Sequence, residues 1–318
     1  MKDYSLSKYS GIIPAMTSCY NAAGEIDITA TRKMTRFLID KGVNGLYIGG
    51  SSGEGLIQSV DERKQMLEAV LEEANGEIVI IGHIGAINTK DSIELAIHAE
   101  QAGADAISAV PPFYYRCSDN GVQRHWNAIM ESCSLPFIIY HIPSTTGFSL
   151  TPVLLREMIK NPQVIGVKIS TSSSYELQQF KAIGGKDFLI FNGPDEQFIA
   201  GRIMGASAGI GGTYGVMPEL FVKLEQLFRE RRLEEATLLQ GKINDIITLL
   251  LALPIHGALK EIIKLRGIDC GGVRAPLEMV SADQQQAIIH IHQKIMSYIQ
   301  EYEGEIQQEH HLIQEGQE

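Results

Sequence analysis

Residues 78–82 read IVIIG and residues 137–142 read FIIYHI. In both segments apolar side chains occupy neighbouring positions, so both faces of an extended chain would be largely apolar. Strands of this kind are typical of parallel sheets that have helices packed on one side and side chains filling the other. The two segments therefore favour a closed parallel barrel over an open antiparallel sheet.

Apolar segments of strand length recur along the chain, and the stretches between them are long enough for crossover helices. The eight segments are Gly11–Met16, Gly45–Ile48, Ile78–Ile81, Ala104–Val110, Pro136–Tyr140, Val164–Ile169, Phe188–Phe191 and Ser207–Ile210. Eight such units predict an α/β protein with a (β/α)8 TIM barrel.

The stretch after the second strand carries clear helix signals. Ser59 and Glu62 have the spacing of a capping box, apolar residues follow at helical spacing, and Gly76 marks an exit. We therefore predict a helix from Ser59 to Ala74.

The chain has 318 residues, of which 44% are hydrophobic, and this is enough for one large core. After the eighth strand the sequence is helical in character over Glu219–Arg231, Leu233–Leu253, Ile255–Leu265 and Ala282–Glu301. We expect one domain over residues 1–302, with a C-terminal helical extension from about 233 to 302. Residues 303–318, EGEIQQEHHLIQEGQE, are predicted to form a disordered polar tail.

A formal net charge of −11 opposes non-specific binding to nucleic acid and to anionic membranes, and favours small molecules as partners. The start of the chain has no apolar run of signal-peptide length, and the apolar run near Ile246–Ile255 is too short to span a bilayer. We expect a cytoplasmic protein. The four cysteines are far apart without a CxxC pair, which favours reduced thiols.

Lys168 interrupts the apolar segment VIGVKIS, residues 164–170. Burial of an amine lowers its pKa, and a neutral amine is a nucleophile for ketones. Strand alternation would put Lys168 on one face with Val164 and Gly166, where the glycine would leave room for the side chain. A lysine at a strand end can instead reach solvent or pair with a carboxylate, and its position alone leaves both readings open.

Other candidate site residues follow the predicted strands at their carboxyl ends, where barrel enzymes assemble their sites. The loop GGSSGEG, residues 49–55, offers the hydroxyls and amides of Ser51 and Ser52 to a small carboxylate. Tyr140 ends the fifth strand, where its phenol could relay a proton. Each feature alone also fits an ordinary turn or a packed aromatic residue.

Two further loops lie at the same predicted rim. The segment NGPDE supplies Gly193, Asp195 and Glu196, and its carboxylates suit a polyhydroxylated chain, although a solvated loop would look the same. We add Ser170 and Gly211 to the candidate substrate-binding residues.

The loop GIGGTYG, residues 209–215, lacks the dinucleotide fingerprint because Tyr214 stands at the last glycine position. His83 and His141 lie at strand ends, but the sequence has no HExxH motif or comparable ligand spacing. We therefore predict neither a metal site nor an organic cofactor.

Together these residues resemble the dihydrodipicolinate synthase and N-acetylneuraminate lyase family of class I aldolases, from about Gly11 to the helices around Leu277. The resemblance implies a carbon–carbon lyase that uses pyruvate. It implies that Lys168 forms the Schiff base, that Tyr140 relays protons, and that Ser51 and Ser52 hold the carboxylate of pyruvate.

The stretches LYIGGSSGEGLIQS, SAVPPFYY, FNGPDEQF and GIGGTY are most similar to the N-acetylneuraminate lyase branch. In that branch, residues matching Asp195 and Glu196 hold the hydroxyl-rich tail of the sugar acid. Synthases of the other branch usually carry an arginine where this chain has Thr145. The resemblance also implies that Tyr114 reaches across a subunit interface, within a homotetramer.

The sequence departs from this branch at three positions. Gly212 replaces a serine that usually contacts the sugar tail, Pro194 replaces an aromatic residue, and His141 replaces an asparagine. The expected activity is reversible cleavage of N-acetylneuraminate (sialic acid) to pyruvate and N-acetylmannosamine. A dihydrodipicolinate synthase, an aldolase for another 2-keto-3-deoxy sugar acid, and a non-catalytic sugar-acid-binding protein stay open as alternatives.

Overall fold

The computed structural model describes residues 5–315, and it describes side chains for residues 5–302. Its centre is a sheet of eight parallel strands. The strands are β1 (Gly11–Pro14), β2 (Gly45–Ile48), β3 (Val79–His83), β4 (Ala106–Ala109), β5 (Phe137–His141), β6 (Val164–Ile169), β7 (Leu189–Asn192) and β8 (Ala208–Gly211). All eight predicted strand segments are confirmed, with ends that differ by at most two residues.

The sheet runs from β1 through β8 and then back along the chain to β2, so β1 and β2 are its two edges. These edges approach each other through a single parallel bridge between Ala15 and Tyr47. The Met16 amide donates to the Tyr47 carbonyl at 3.0 Å, and the Asn44 amide donates to the Ile12 carbonyl at 2.8 Å. The strands therefore form a nearly closed barrel, as predicted from the segments that are apolar on both faces.

Helices surround the barrel and continue into the C-terminal extension. They are α1 (Ile28–Asp40), α2 (Val60–Ala74), α3 (Thr89–Ala102), α4 (Asp119–Glu131), α5 (Pro143–Thr146), α6 (Pro152–Met158), α7 (Ser174–Gly184), α8 (Phe198–Ile203), α9 (Pro218–Arg229), α10 (Leu233–Leu251), α11 (Ile255–Leu265) and α12 (Gln285–Glu315). The predicted capping box of α2 is confirmed, because Ser59 and Glu62 each accept a hydrogen bond from the other's amide.

Buried apolar side chains form two layers, as strand alternation requires. Ile12, Leu46 and Val167 belong to the layer between the strands and the helices. Ile13 and Tyr47 belong to the second layer, which fills the barrel interior. This inner layer also contains Tyr140 and Phe191. Polar groups that β5 and β6 direct into the barrel are therefore surrounded by packed side chains.

Strand β6 departs from simple alternation near its start. Its pairing with β5 shifts by one residue, so that Phe137 pairs with Val164 but Ile138 pairs with Gly166. Val164 consequently packs in the outer layer while Ile165 packs inside. The prediction that Lys168 and Val164 share a face is wrong because this bulge adds a residue to the strand.

Gly166 does lie on the inner face with Lys168, but for a different reason from the one predicted. A Cβ at this position would collide with the backbone of Leu189 on β7 and lie 2.8 Å from the Leu189 Cβ. The glycine is therefore required because the neighbouring strand approaches closely. It is not required to leave space for the lysine, as the sequence predicts.

The C-terminal helices include the segments predicted for the extension. Helix α12 continues to Glu315, so its backbone includes most of the predicted tail, and residues 316–318 lie outside the described residues. Among the helices that the structure describes, none alone is long and apolar enough to cross a membrane. Helices α10 and α11 meet the length and composition test only as a pair bent by 117°.

Candidate active site

Lys168 lies inside the barrel, directly beside Tyr140 in the β5–β6 register. Its side chain is buried, with 4% of its surface exposed. The Lys168 Nζ lies 4.0 Å from the centre of the Tyr140 ring and 4.5 Å from the centre of the Tyr47 ring. Among the described residues, no carboxylate lies within ion-pairing distance of this nitrogen, so the reading of Lys168 as one half of a salt bridge does not fit the structure.

Tyr140 is also buried, yet its phenol has polar neighbours. Burial on its own would raise the pKa of this phenol, but the positive charge of Lys168 acts in the opposite direction. Hydrogen bonds with Ser170, Lys168 and Ser51 lower the pKa further, so it lies below its ordinary value. A phenol in this setting gives up its proton more readily than a free tyrosine and is suited to proton transfer.

The loop of residues 49–55 turns tightly after β2. Gly49 has a φ of 73°, in the left-handed region, and a Cβ on Gly55 would overlap the Gly49 carbonyl. The predicted carboxylate ligands occupy its middle, where Ser51 is exposed and Ser52 is half-buried. The glycines thus let the loop fold on itself while both serines stay accessible from the barrel mouth.

Gly212, one of the departures from the lyase branch, lies against this loop. A Cβ at position 212 would collide with the Ser52 hydroxyl and lie 3.3 Å from the Ser52 Cβ. Any side chain at 212 would therefore require the Ser52 hydroxyl to move. The glycine at this position thus bears on where Ser52 lies in the predicted carboxylate pocket.

The acidic pair after β7 separates into a buried and an exposed member. Asp195 is buried, and its Oδ2 accepts hydrogen bonds from the Thr213 amide at 2.7 Å and the Thr213 hydroxyl at 2.5 Å. Burial raises the pKa of Asp195 to about 6, although the hydrogen bonds from Thr213 oppose the shift. Its Oδ1 has no partner among the described residues. Glu196 is exposed.

The two glycines in the candidate set act as spacers. A Cβ on Gly211 would overlap the Asp195 carboxylate, and a Cβ on Gly193 would overlap the Ser170 hydroxyl. Each glycine therefore lets a polar side chain approach the carboxyl end of the barrel, which is a steric role rather than a ligand role.

Tyr114 is the candidate residue that the structure does not bring to this cluster. It follows β4 with a φ of 75° and is 85% exposed. Its ring packs edge-on against Tyr115, with centres 5.0 Å apart. Thr145 is likewise exposed, in the short helix α5.

Three residues at the site have no assigned role in the sequence interpretation. Tyr47 is fully buried and donates a hydrogen bond to Ser108 at 3.0 Å, and burial raises the pKa of its phenol well above the ordinary range. His83 packs against Tyr47 with ring centres 5.9 Å apart, and Arg63 donates a hydrogen bond to the His83 carbonyl. The sequence does mark Arg63 as unusual, because this charged residue falls on the apolar stripe of α2 together with Met66.

A cavity of about 690 Å³ lies between the loop after β1 and the segment after α11, away from Lys168. Three basic side chains line it, and each has an acidic partner. Lys260 pairs with Glu54, Lys264 with Asp269, and Arg274 with Glu62. No free cation is left among these three to attract an anionic substrate.

Within the described part of the chain, no cluster of His, Cys, Asp or Glu is arranged to hold a metal ion.

The sequence profile of the dihydrodipicolinate synthetase family matches residues 8–295. The N-acetylneuraminate lyase of Mediterraneibacter gnavus is 43% identical over 289 residues, which cover 90% of this chain and 91% of that protein. The N-acetylneuraminate lyase of Rhizobium meliloti is 36% identical over 274 residues, covering 86% of this chain and 91% of that protein.

Solved structures show the same relationship. A catalytic lysine mutant of the Ruminococcus gnavus sialic acid aldolase superposes with a TM-score of 0.91 at 41% identity, covering 93% of this chain and 98% of that chain. The extent of the profile match and the identity to curated relatives confirm the resemblance carried by the motifs, and this chain is a member of the dihydrodipicolinate synthetase family.

Proposed function

We propose that this protein is a Schiff-base lyase that cleaves N-acetylneuraminate reversibly to pyruvate and N-acetylmannosamine. The observation that carries the proposal is the placement of a buried Lys168 beside the acidified phenol of Tyr140 inside the barrel. Relatives named N-acetylneuraminate lyase and a sialic acid aldolase with a catalytic lysine support the choice of reaction.

The reaction begins when Lys168 gives up its ammonium proton and its amine attacks the C2 ketone of the open-chain sugar acid. Loss of water gives an iminium ion, which can accept an electron pair. Tyr140 takes the proton of the C4 hydroxyl, the C3–C4 bond breaks, and its electrons move into the iminium to form an enamine. N-acetylmannosamine leaves with a new carbonyl at the former C4.

The second half of the reaction restores the enzyme. The enamine takes a proton at C3, and water hydrolyses the resulting iminium to release pyruvate and the lysine amine. The loop of residues 49–55 holds the carboxylate throughout, through the hydroxyls of Ser51 and Ser52 and nearby amides. The protein's own groups supply each of these steps without a metal or organic cofactor.

Asp195 and Glu196 accept hydrogen bonds from the hydroxyls of the sugar tail in this proposal. The unpartnered Oδ1 of Asp195 supports it, because a buried carboxylate oxygen is costly to leave without a donor. Ser170 lies next to the Tyr140 phenol, and Gly193 and Gly211 give the substrate and these side chains room.

We further propose a cytoplasmic homotetramer that acts on small molecules. The exposed aromatic pair of Tyr114 and Tyr115 supports subunit contact, since a large apolar surface at this rim would be covered by a neighbouring copy. The acidic net charge of −11 argues against nucleic acid or an anionic membrane as partner.

A second candidate is an aldolase for a different 2-keto-3-deoxy sugar acid. The observation that favours it is Gly212, which changes both the sugar-tail position and the packing of Ser52. A dihydrodipicolinate synthase is less well supported, because Thr145 offers no cation for a second carboxylate. The retained pair of Lys168 and Tyr140 argues against a non-catalytic binding protein.

The discriminating experiment is a substrate panel at equal protein concentration. We would measure pyruvate release from N-acetylneuraminate and from several shorter keto-deoxy sugar acids, and pyruvate consumption with aspartate semialdehyde. The proposal expects the highest kcat/KM with N-acetylneuraminate. A higher value with another sugar acid would transfer the proposal to that substrate, and activity only with the semialdehyde would overturn it.

A further inference from the structure

Arg63 is a buried cation that the proposed reaction does not use. It projects from α2, and only 6% of its surface is exposed. Its Nη1 donates to the Gly85 carbonyl at 2.9 Å and its Nη2 to the His83 carbonyl at 2.6 Å. In the part of the chain that the structure describes, no carboxylate lies within ion-pairing distance, and Asp91 acts on Arg63 only through space.

Burying an unpaired guanidinium is unfavourable, so its retention calls for a compensating role. Burial lowers the pKa of Arg63 to about 10, which leaves the side chain charged at neutral pH. Its Nε has no hydrogen-bond partner among the described residues, and a Cβ on Gly49 would lie 3.9 Å from that nitrogen. The uncompensated charge therefore lies next to the first residue of the proposed carboxylate loop.

His83 links Arg63 to this loop. Burial, together with the positive charges of Arg63 and Lys168, holds the pKa of His83 well below its ordinary value, so the ring is neutral. Its Nδ1 lies 2.9 Å from the Gly49 carbonyl. Because a carbonyl can only accept, the neutral ring must carry its proton on Nδ1 and donate to Gly49.

This hydrogen bond has a consequence for the loop. A fixed Gly49 carbonyl fixes the plane of the peptide that follows, and so it fixes the direction of the Gly50 amide. The His83 ring also packs edge-on against Tyr140, with ring centres 5.9 Å apart. One residue thus contacts both the carboxylate loop and the proposed proton relay.

We propose that Arg63 and His83 are positioning residues for the carboxylate loop, and that the charge of Arg63 makes the site select anionic 2-oxo acids over neutral ketones. Arg63 fixes the end of β3 by donating hydrogen bonds to two carbonyls. His83, at that strand end, in turn fixes Gly49 by donating to its carbonyl. Neither side chain touches the substrate in this arrangement. The inference rests on the proposed function, since it assumes that pyruvate binds at this loop.

The experiment measures adduct formation with reductive trapping, using either pyruvate or its neutral methyl ester as the ketone. Wild-type protein should reach half-saturation at a lower concentration of pyruvate than of the ester. Arg63→Met loses both the charge and the two carbonyl contacts, so it should weaken both ketones and should weaken pyruvate about tenfold more than the ester. A variant that keeps the wild-type preference for pyruvate would overturn the charge effect.

Arg63→Lys separates charge from positioning. Lysine keeps the charge but cannot bond both carbonyls in the same fork geometry, so it should retain the preference for pyruvate while weakening both ketones. If Arg63→Met does not fold, Arg63→Gln measures the charge effect instead, and unchanged half-saturation in Arg63→Lys would overturn the positioning role. His83→Gln, which keeps a donor, should bind pyruvate better than His83→Leu, and equal binding would remove His83 from the proposal.

Arg202→Met is the matched control, because Arg202 is a partly buried arginine paired with Glu225 away from the loop. It should lower thermal stability without changing the ratio of pyruvate to ester binding. If wild-type protein itself forms no adduct, the proposed function fails. If wild-type protein forms one and Arg63→Met has the wild-type ratio, only the present inference fails.

Discussion

The side-chain nitrogen of Lys168 lies 4.0 Å from the centre of the Tyr140 ring, and the two residues are paired in the β5–β6 register. Because both side chains point into the barrel from adjacent strands, neither can move far without disturbing the packing of the other. A nucleophile and a proton donor are thereby held together by strand geometry rather than by a flexible loop.

Tyr140→Phe tests the proton relay. The ring is kept, so packing against Lys168 should persist, but the hydroxyl that exchanges protons is lost. We expect kcat for cleavage to fall by about 10²–10⁴-fold, while the pyruvate concentration that half-saturates adduct trapping changes much less. A fall in pyruvate binding with unchanged kcat would assign Tyr140 to binding instead.

Asp195→Asn tests the buried member of the acidic pair. Loss of the negative charge should raise KM for N-acetylneuraminate roughly tenfold or more, because charge-assisted hydrogen bonds to sugar hydroxyls are weakened. Pyruvate trapping should change much less, since Asp195 accepts hydrogen bonds from Thr213 and none from Ser51 or Ser52. Equal losses for both ligands would indicate general damage to the barrel mouth.

The same variant has an effect on stability that depends on pH. The folded-state pKa of Asp195, about 6, is raised above the ordinary value of 3.8, so the folded protein binds this proton more tightly than the unfolded chain does. Ionisation therefore destabilises the wild type progressively as pH rises from about 4 to about 6, on the order of 3 kcal/mol in total. The difference in unfolding free energy between Asp195→Asn and wild type, measured in urea at several pH values, should shift in favour of the variant over this window. A pH-independent difference would show that Asp195 does not titrate there.

Gly212→Ser tests the contact between two rim loops. The new Cβ should displace the Ser52 hydroxyl and raise the half-saturating pyruvate concentration. In a Ser52→Ala background the same change should have a smaller effect, because the displaced hydroxyl is already absent. Additive effects of the two substitutions would contradict this coupling.

Lys260→Met tests the ion pair that anchors the carboxylate loop to the C-terminal extension. The Lys260 nitrogen lies 2.7 Å from Glu54, and both side chains are almost completely buried. Removing the lysine leaves a buried carboxylate unpaired, which should lower the unfolding free energy by about 3–5 kcal/mol. Urea denaturation should show partial recovery in the double variant with Glu54→Gln, and a harmless single substitution would contradict the account.

Much of this fold could be predicted from the sequence. The eight strands were visible because a barrel strand needs apolar side chains on both faces, and the Lys168 signal was visible because it interrupts such a segment. The capping box at Ser59 is a local pattern that depends on neighbouring residues only. These features can be predicted because each depends on only a few consecutive residues.

The parts that could not be predicted depend on contacts between distant segments. The bulge in β6 adds one residue without a compositional signal, and it moves Val164 to the outer layer. The separation of Asp195 from Glu196 depends on Thr213, which lies in another loop. Arg63 and His83 acquire a role only when the end of β3 meets the loop at Gly49.

The most direct test of the central claim is mass spectrometry of the intact protein after incubation with pyruvate and borohydride, followed by peptide mapping. The account predicts one reduced pyruvate adduct, located on the peptide that contains Lys168, and none in a folded Lys168→Ala variant. Absence of an adduct in the wild type, or an adduct on a different lysine, would contradict it.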